Sequence, residues 1–167
     1  MNIQQEILWY AFVTRPRHEK KVKQALDQRG IANFLPLRRT LNQWKDRKRW
    51  VETPLFSCYI FAQTAYKNRY EVLTVPSVAR IVGFGNEPTP VYHEEIDDLK
   101  KVVEGPSQLD VYDGLLPGDD VRIRSGPLMG MEGKLVDFRS KKYFVIYITA
   151  IGKSVLVDAA GTFVEKI

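Results

Sequence analysis

Glycines at 126, 130 and 133, set between two alternating segments, constrain this chain more than any other feature. The stretch reads Pro117-Gly118-Asp119-Asp120-Val121-Arg122-Ile123-Arg124-Ser125-Gly126-Pro127-Leu128-Met129-Gly130-Met131-Glu132-Gly133. Val121 and Ile123 alternate with Arg122 and Arg124, the two-residue period of a strand with one buried face. Gly-Pro and the later glycines admit backbone angles that other residues resist. The pattern predicts strand, Gly-rich turn, strand. Further strands are expected at 132–139, 143–150, 153–158 and 162–166, and Tyr143–Thr149 is rich in β-branched and aromatic residues. Several short strands at this spacing imply a small barrel.

The N-terminal part has a different grammar. Leu8–Thr14 reads as a buried strand closed by Pro16, followed by a helix over Glu19–Arg29. Val22, Ala25 and Leu26 fall on one helical face, and Gly30 sits where a C-cap glycine belongs. A second strand starts at Phe34. The basic, tryptophan-bearing residues 38–50 look like an exposed hairpin or loop. Leu55–Ala62 reads as the central strand, with a helix from about Tyr66 to Thr74 and a strand over Val78–Phe84. Glu94–Val103 reads as a helix, acidic first and with Lys100-Lys101 last, which complements its dipole. This order predicts an α+β domain with an antiparallel sheet over 1–104, a linker over 105–116, and the small β-barrel over 117–167.

Charge is unevenly spread. Residues 1–50 carry 12 Lys+Arg against 4 Asp+Glu, whereas residues 106–167 carry 8 of each. The basic excess belongs to the N-terminal part and points to nucleic acid or an acidic protein surface. No apolar run approaches the roughly 20 residues of a membrane span, and no leader-like N-terminus is evident, so the expected setting is cytoplasmic. A single cysteine, Cys58, precludes an intramolecular disulfide.

Catalytic readings find little support. His18 and His93 stand far apart, with no cysteine or carboxylate cluster at metal-ligand spacing. No phosphate loop or nucleophile elbow appears. Glu94, Glu95, Asp97 and Asp98 read as an acidic helix start. No enzyme activity, metal or cofactor is expected.

The Gly-rich hairpin resembles the KOW motif, which opens an SH3-like barrel. Three motifs in order are similar to the NusG family of transcription elongation factors, which joins an NGN domain to a KOW domain. They are Trp9-Tyr10 followed by Arg17-His-Glu-Lys-Lys, then Pro54-Leu-Phe-Ser-Cys-Tyr-Ile-Phe61, then the KOW hairpin. Val75–Phe84 resembles the last NGN strand. Trp44-Lys-Asp-Arg-Lys-Arg-Trp-Val-Glu is similar to the UpxY-type antiterminators of Bacteroidetes. Ser57-Cys58 departs from the family's frequent Pro-Gly.

The resemblance implies an antiterminator whose NGN domain bridges the RNA polymerase clamp helices and gate loop, suppressing pausing and termination. By motif position Trp9, Tyr10, Phe56, Tyr59 and Phe84 are the clamp-binding candidates. Phe56 and Tyr59 differ in strand parity, so only a bend at Ser57-Cys58 would bring them to one face. Asn68, Arg69 and Tyr70 match the gate-loop contact. Arg15, Arg17, Lys21, Gln28 and Arg29 match the surface that meets the non-template DNA strand. Trp44 and Trp50, beside Arg47, Lys48 and Arg49, either stack on bases or pin the hairpin to the sheet. Leu128, Met131, Ile151 and Lys153 match the KOW surface for a small-subunit ribosomal protein or termination factor, with barrel filling as the alternative for the apolar ones. A different class also fits a basic chain with a KOW hairpin, namely a ribosome-associated or RNA-binding protein.

Overall fold

The computed structural model describes residues 5–85, 87–105, 118–124, 128–138, 141–158 and 164–166. They form two compact units, Met1–His93 and Glu94–Ile167. The expected domain boundary was 104. The linker proper, 106–116, and the Gly126-Pro127 turn lie outside the described residues.

In the first unit β1 (Ile7–Thr14) leads to α1 (Glu19–Gln28), β2 (Asn33–Phe34), β3 (Leu37–Gln43), β4 (Lys48–Pro54) and β5 (Tyr59–Ala65). A tight helical turn, Tyr66–Asn68, runs into α2 (Arg69–Leu73). Then come β6 (Val78–Ile81), β7 (Gly83–Phe84), β8 (Glu87–Pro88) and β9 (Pro90–Val91). The main sheet has the order β2-β5-β1-β6, with β9 also pairing β1. The β1 pairings are antiparallel, and the register sets Tyr10 opposite Ala62 and Phe12 opposite Ile60.

That register explains the core. Tyr10, Phe12, Ile60 and Ala62 project together and meet Val22 and Leu26 of α1 and Val72 of α2. Each fully buried side chain of this size stabilises the fold by about 1.5–3 kcal/mol. Alternation puts Phe61 on the opposite face. There it stacks with Phe34 at 6.4 Å and meets Phe56 edge-on at 6.4 Å. The α1 helix stops where expected. Gly30 takes φ 69, its N–H donates to the Asp27 carbonyl, and the Ile31 N–H donates to the Leu26 carbonyl. This is a Schellman closure, completed by Ile31 packing onto the core cluster.

The expected strand over Leu55–Ala62 is corrected. Residues 55–58 form a turn, and β5 begins only at Tyr59. Cys58 has φ 68, a left-handed conformation that no continuous strand contains.

The helix α3 (His93–Glu104) begins at the last residue of the first unit and otherwise belongs to the second. There β10 (Asp120–Ile123), β11 (Glu132–Phe138), β12 (Lys141–Ile148), β13 (Lys153–Asp158) and β14 (Val164–Lys166) make one antiparallel sheet, ordered β13-β12-β11-β10-β14. Val121 and Ile123 are buried and Arg122 is exposed, as the alternation requires. Glu95 of α3 accepts hydrogen bonds from the backbone N–H and hydroxyl of Thr149. Among the described residues no helix is long and apolar enough to cross a membrane.

Candidate polymerase and nucleic-acid interface

Exposure divides the five clamp-contact candidates. Tyr10, Phe56 and Trp9 are 1%, 6% and 7% exposed, whereas Phe84 is 92% exposed and Tyr59 is half-buried. The first three are buried, Tyr10 in the cluster packed by α1 and α2, Phe56 edge-on against Phe61 and Trp9 between β5 and β9, which leaves them little surface to offer a partner. Trp9 also donates its indole N–H to His93 Nδ1 at 3.3 Å. The bend at Cys58 brings Phe56 against Phe61, on the face that alternation assigns to Tyr59. Phe84 stands at the end of the β7–β8 hairpin, held there by close backbone approach. A Cβ on Gly83 would lie 2.1 Å from the Glu87 carbonyl oxygen.

Asn68, Arg69 and Tyr70 come together where the tight turn enters α2. The Arg69 guanidinium lies 4.0 Å from the Tyr66 ring centroid and 4.4 Å from that of Tyr70. It also donates to the Tyr66 carbonyl at 2.9 Å and to the Tyr70 hydroxyl at 3.2 Å. Two rings and two hydrogen bonds hold one cation in place at the surface, where Tyr70 remains 60% exposed. Sequence reasoning missed Tyr66, although its spacing of three and four residues from Arg69 and Tyr70 puts it on their helical face.

The basic candidates follow two elements. Arg15 and Arg17 are exposed in the loop between β1 and α1, and Lys21 and Gln28 are exposed on α1. Contacts from distant segments fix the loop. The Arg15 N–H donates to the Ser77 carbonyl, His18 Nδ1 lies 2.7 Å from Ser77 Oγ, and the Thr14 N–H donates to the Cys58 carbonyl. Among the described residues Arg17, Cys58 and Ser77 are the non-glycine ones with positive φ, and all three lie in or around this loop. Arg29 has a structural task as well. Its Nη1 donates to the Glu71 carbonyl and to Thr74 Oγ1, tying α1 to the end of α2.

Arg47, Lys48 and Arg49 lie exposed on the β3–β4 hairpin, a two-stranded sheet of its own. Trp44 and Trp50 are 60% and 66% exposed, so they do not pin the hairpin to the main sheet.

In the second unit Leu128 and Met131 are buried, which favours the filling role for both. Ile151 is half-buried and Lys153 exposed, beside the left-handed Gly152. Met129, between the two buried residues, is 63% exposed. Among the described residues no three His, Cys, Asp or Glu side chains gather as a metal site requires.

A sequence profile described as "Transcription termination factor nusG" matches residues 8–100. The transcription termination/antitermination protein NusG of Streptococcus pyogenes serotype M1 is 30% identical over 149 residues, covering 80% of this chain and 82% of its own. That of Campylobacter jejuni is 23% identical, covering 95% and 97%. A solved structure of Thermotoga maritima NusG superposes with a TM-score of 0.59 at 24% identity, covering 97% of this chain and 98% of its own, and shares the fold.

Proposed function

The chain belongs to the NusG family of non-enzymatic transcription termination and antitermination factors, and on that premise we propose that it is an antiterminator bound to RNA polymerase through the Met1–His93 unit. The carrying observation is a set of aromatic and arginine side chains at the surface of a well-packed support: exposed Phe84 and Tyr70, with half-buried Tyr59, Tyr66 and Arg69 beside them. Tyrosine and arginine dominate binding hot spots because they bring large contact area and hydrogen bonding together.

In this reading Phe84 and Tyr59 meet the clamp helices of the largest polymerase subunit, with Trp9, Tyr10 and Phe56 shaping the surface from beneath. Asn68, Arg69 and Tyr70 meet the gate loop of the second-largest subunit. Holding both elements favours the closed clamp, a population shift that needs no chemistry. Arg15, Arg17 and Lys21 face the displaced non-template strand, Arg giving paired donors and Lys neutralising phosphate. The second unit is the KOW domain of this reading. It offers Ile151, Lys153 and Met129 to a small-subunit ribosomal protein or termination factor. The Trp44–Glu52 segment supports a specialised, UpxY-type paralogue acting in the cytoplasm.

The test is binding to a reconstituted elongation complex with isolated clamp helices as competitor. Expected are competed binding and a loss of about tenfold or more in Phe84→Ala and in Tyr70→Ala. Binding that the helices do not compete, or that neither variant weakens, overturns the reading.

A further inference from the structure

A groove of about 800 Å³ lies between α1 and the β3–β4 hairpin, lined by Lys20, Arg39, Trp44, Arg49, Trp50, Val51 and Glu52. Its volume is within the roughly 300–1,000 Å³ of ligand clefts. A second depression of about 580 Å³ at the hairpin tip adds Lys45, Asp46 and Arg47. Trp44 lines both.

We propose that this groove binds unpaired nucleobases of single-stranded nucleic acid, stacked on Trp44 and Trp50. The proposal deepens the nucleic-acid part of the reading above, at a place distinct from the β1–α1 loop. Three observations carry it. First, two indoles are held more than half exposed, although leaving such surface in water is unfavourable. Second, residues 38–52 hold six Lys or Arg against two acids, Asp46 and Glu52, an excess that suits a phosphate backbone and not a neutral apolar partner. Third, the groove floor is held in place: Lys20 Nζ donates to the Glu52 carbonyl at 2.7 Å and Arg39 Nε to the Glu52 carboxylate at 2.9 Å. These bonds tie α1 to the hairpin root and brace the cleft.

Duplex bases are already stacked and present no free face, so the indoles select unpaired bases. Aromatic platforms with flanking cations are the recurring solution for that ligand, and they tolerate any sequence.

The test uses the full chain with fluorescein-labelled oligo(dT) and oligo(U) of about 12 nucleotides, against a duplex of equal length. Expected is single-strand binding that Trp44→Ala and Trp50→Ala each weaken by about tenfold, with little change for duplex. Arg49→Gln should weaken binding at low salt and flatten the salt dependence. The preferred arm, DNA or RNA, names the strand. Both tryptophans are exposed, so circular dichroism should show unchanged folding in the variants. If neither oligomer binds at low salt, or both tryptophan variants bind as wild type, the proposal is overturned. Elongation-complex binding of the same variants is measured separately. Absence of such binding in the wild-type protein sinks the polymerase reading and leaves oligomer binding to judge the groove.

Discussion

The buried Glu19 carboxylate accepts a hydrogen bond at 2.8 Å from the backbone N–H of Cys58, a residue held at φ 68. This contact joins the first turn of α1 to the bend before β5, and so sets how the central strand enters the sheet. A non-glycine residue in this conformation costs about 1–2 kcal/mol, while glycine loses roughly 0.5–1 kcal/mol more entropy on folding. Cys58→Gly should therefore stabilise the protein by about 0.5 kcal/mol and Cys58→Val should destabilise it. Glu19→Ala leaves the Cys58 N–H unsatisfied and should cost about 2 kcal/mol. Urea denaturation of the three variants checks all of this, and a destabilised Cys58→Gly refutes the strain argument.

Arg29 and Lys21 both lie exposed on or beside α1, yet only Arg29 reaches across to Glu71 and Thr74. Arg29→Ala should lower stability by about 1 kcal/mol, with screening by water keeping the loss small. Lys21→Ala should stay within about 0.5 kcal/mol of wild type. Should both variants weaken DNA binding, only the Lys21 effect can be read as a lost phosphate contact. Equal melting temperatures for the two would remove the tether from the account.

Much of this was legible from residues close in sequence. The α1 helix, its closure at Gly30, the tryptophan hairpin and the alternating strand Asp120–Ile123 each follow from a short-range pattern. What was not legible depended on distant partners. Leu55–Ala62 is apolar but for Ser57, so its pattern reads as strand, and the bend at Ser57-Cys58 entered only as a condition for bringing Phe56 and Tyr59 together. The reason for the bend lies at Glu19 and Thr14. Trp9 and Phe84 are both strand aromatics, but only Trp9 is covered by neighbouring strands, and coverage is a property of topology. Arg29 reads as one more surface cation until α2 folds beside it.

Gly83 and Gly85 shape the hairpin that presents Phe84. Gly83→Ala would force its Cβ against backbone of Glu87 and Pro88, atoms that cannot swing aside. The expected result is local opening of β7–β8 with the core intact. Hydrogen exchange should accelerate at the Thr89 amide, which donates to Val82, by about tenfold or more. The Val82 amide, bonded to Ala11 in the main sheet, should keep its protection. Equal acceleration at both sites would mean the hairpin and sheet open as one unit.

The Tyr10 phenol is pushed above its ordinary value of 10.0, first by burial and then by the nearby Glu6 and Tyr66. A group whose folded pKa is raised holds its full contribution below the unfolded value and loses it as pH rises through the folded one. Tyr10 must therefore make the protein alkali-sensitive, since the unfolded chain gives up this proton more readily. Tyr10→Phe removes the titration while keeping the ring in the core. Near pH 8 the variant should differ from wild type by about 1 kcal/mol or less. Near pH 11 the balance should move in favour of the variant, by an amount set by the upward shift. Denaturation midpoints of the two proteins at both pH values decide it. A constant gap would mean that Tyr10 ionises as freely in the folded protein as in the unfolded chain.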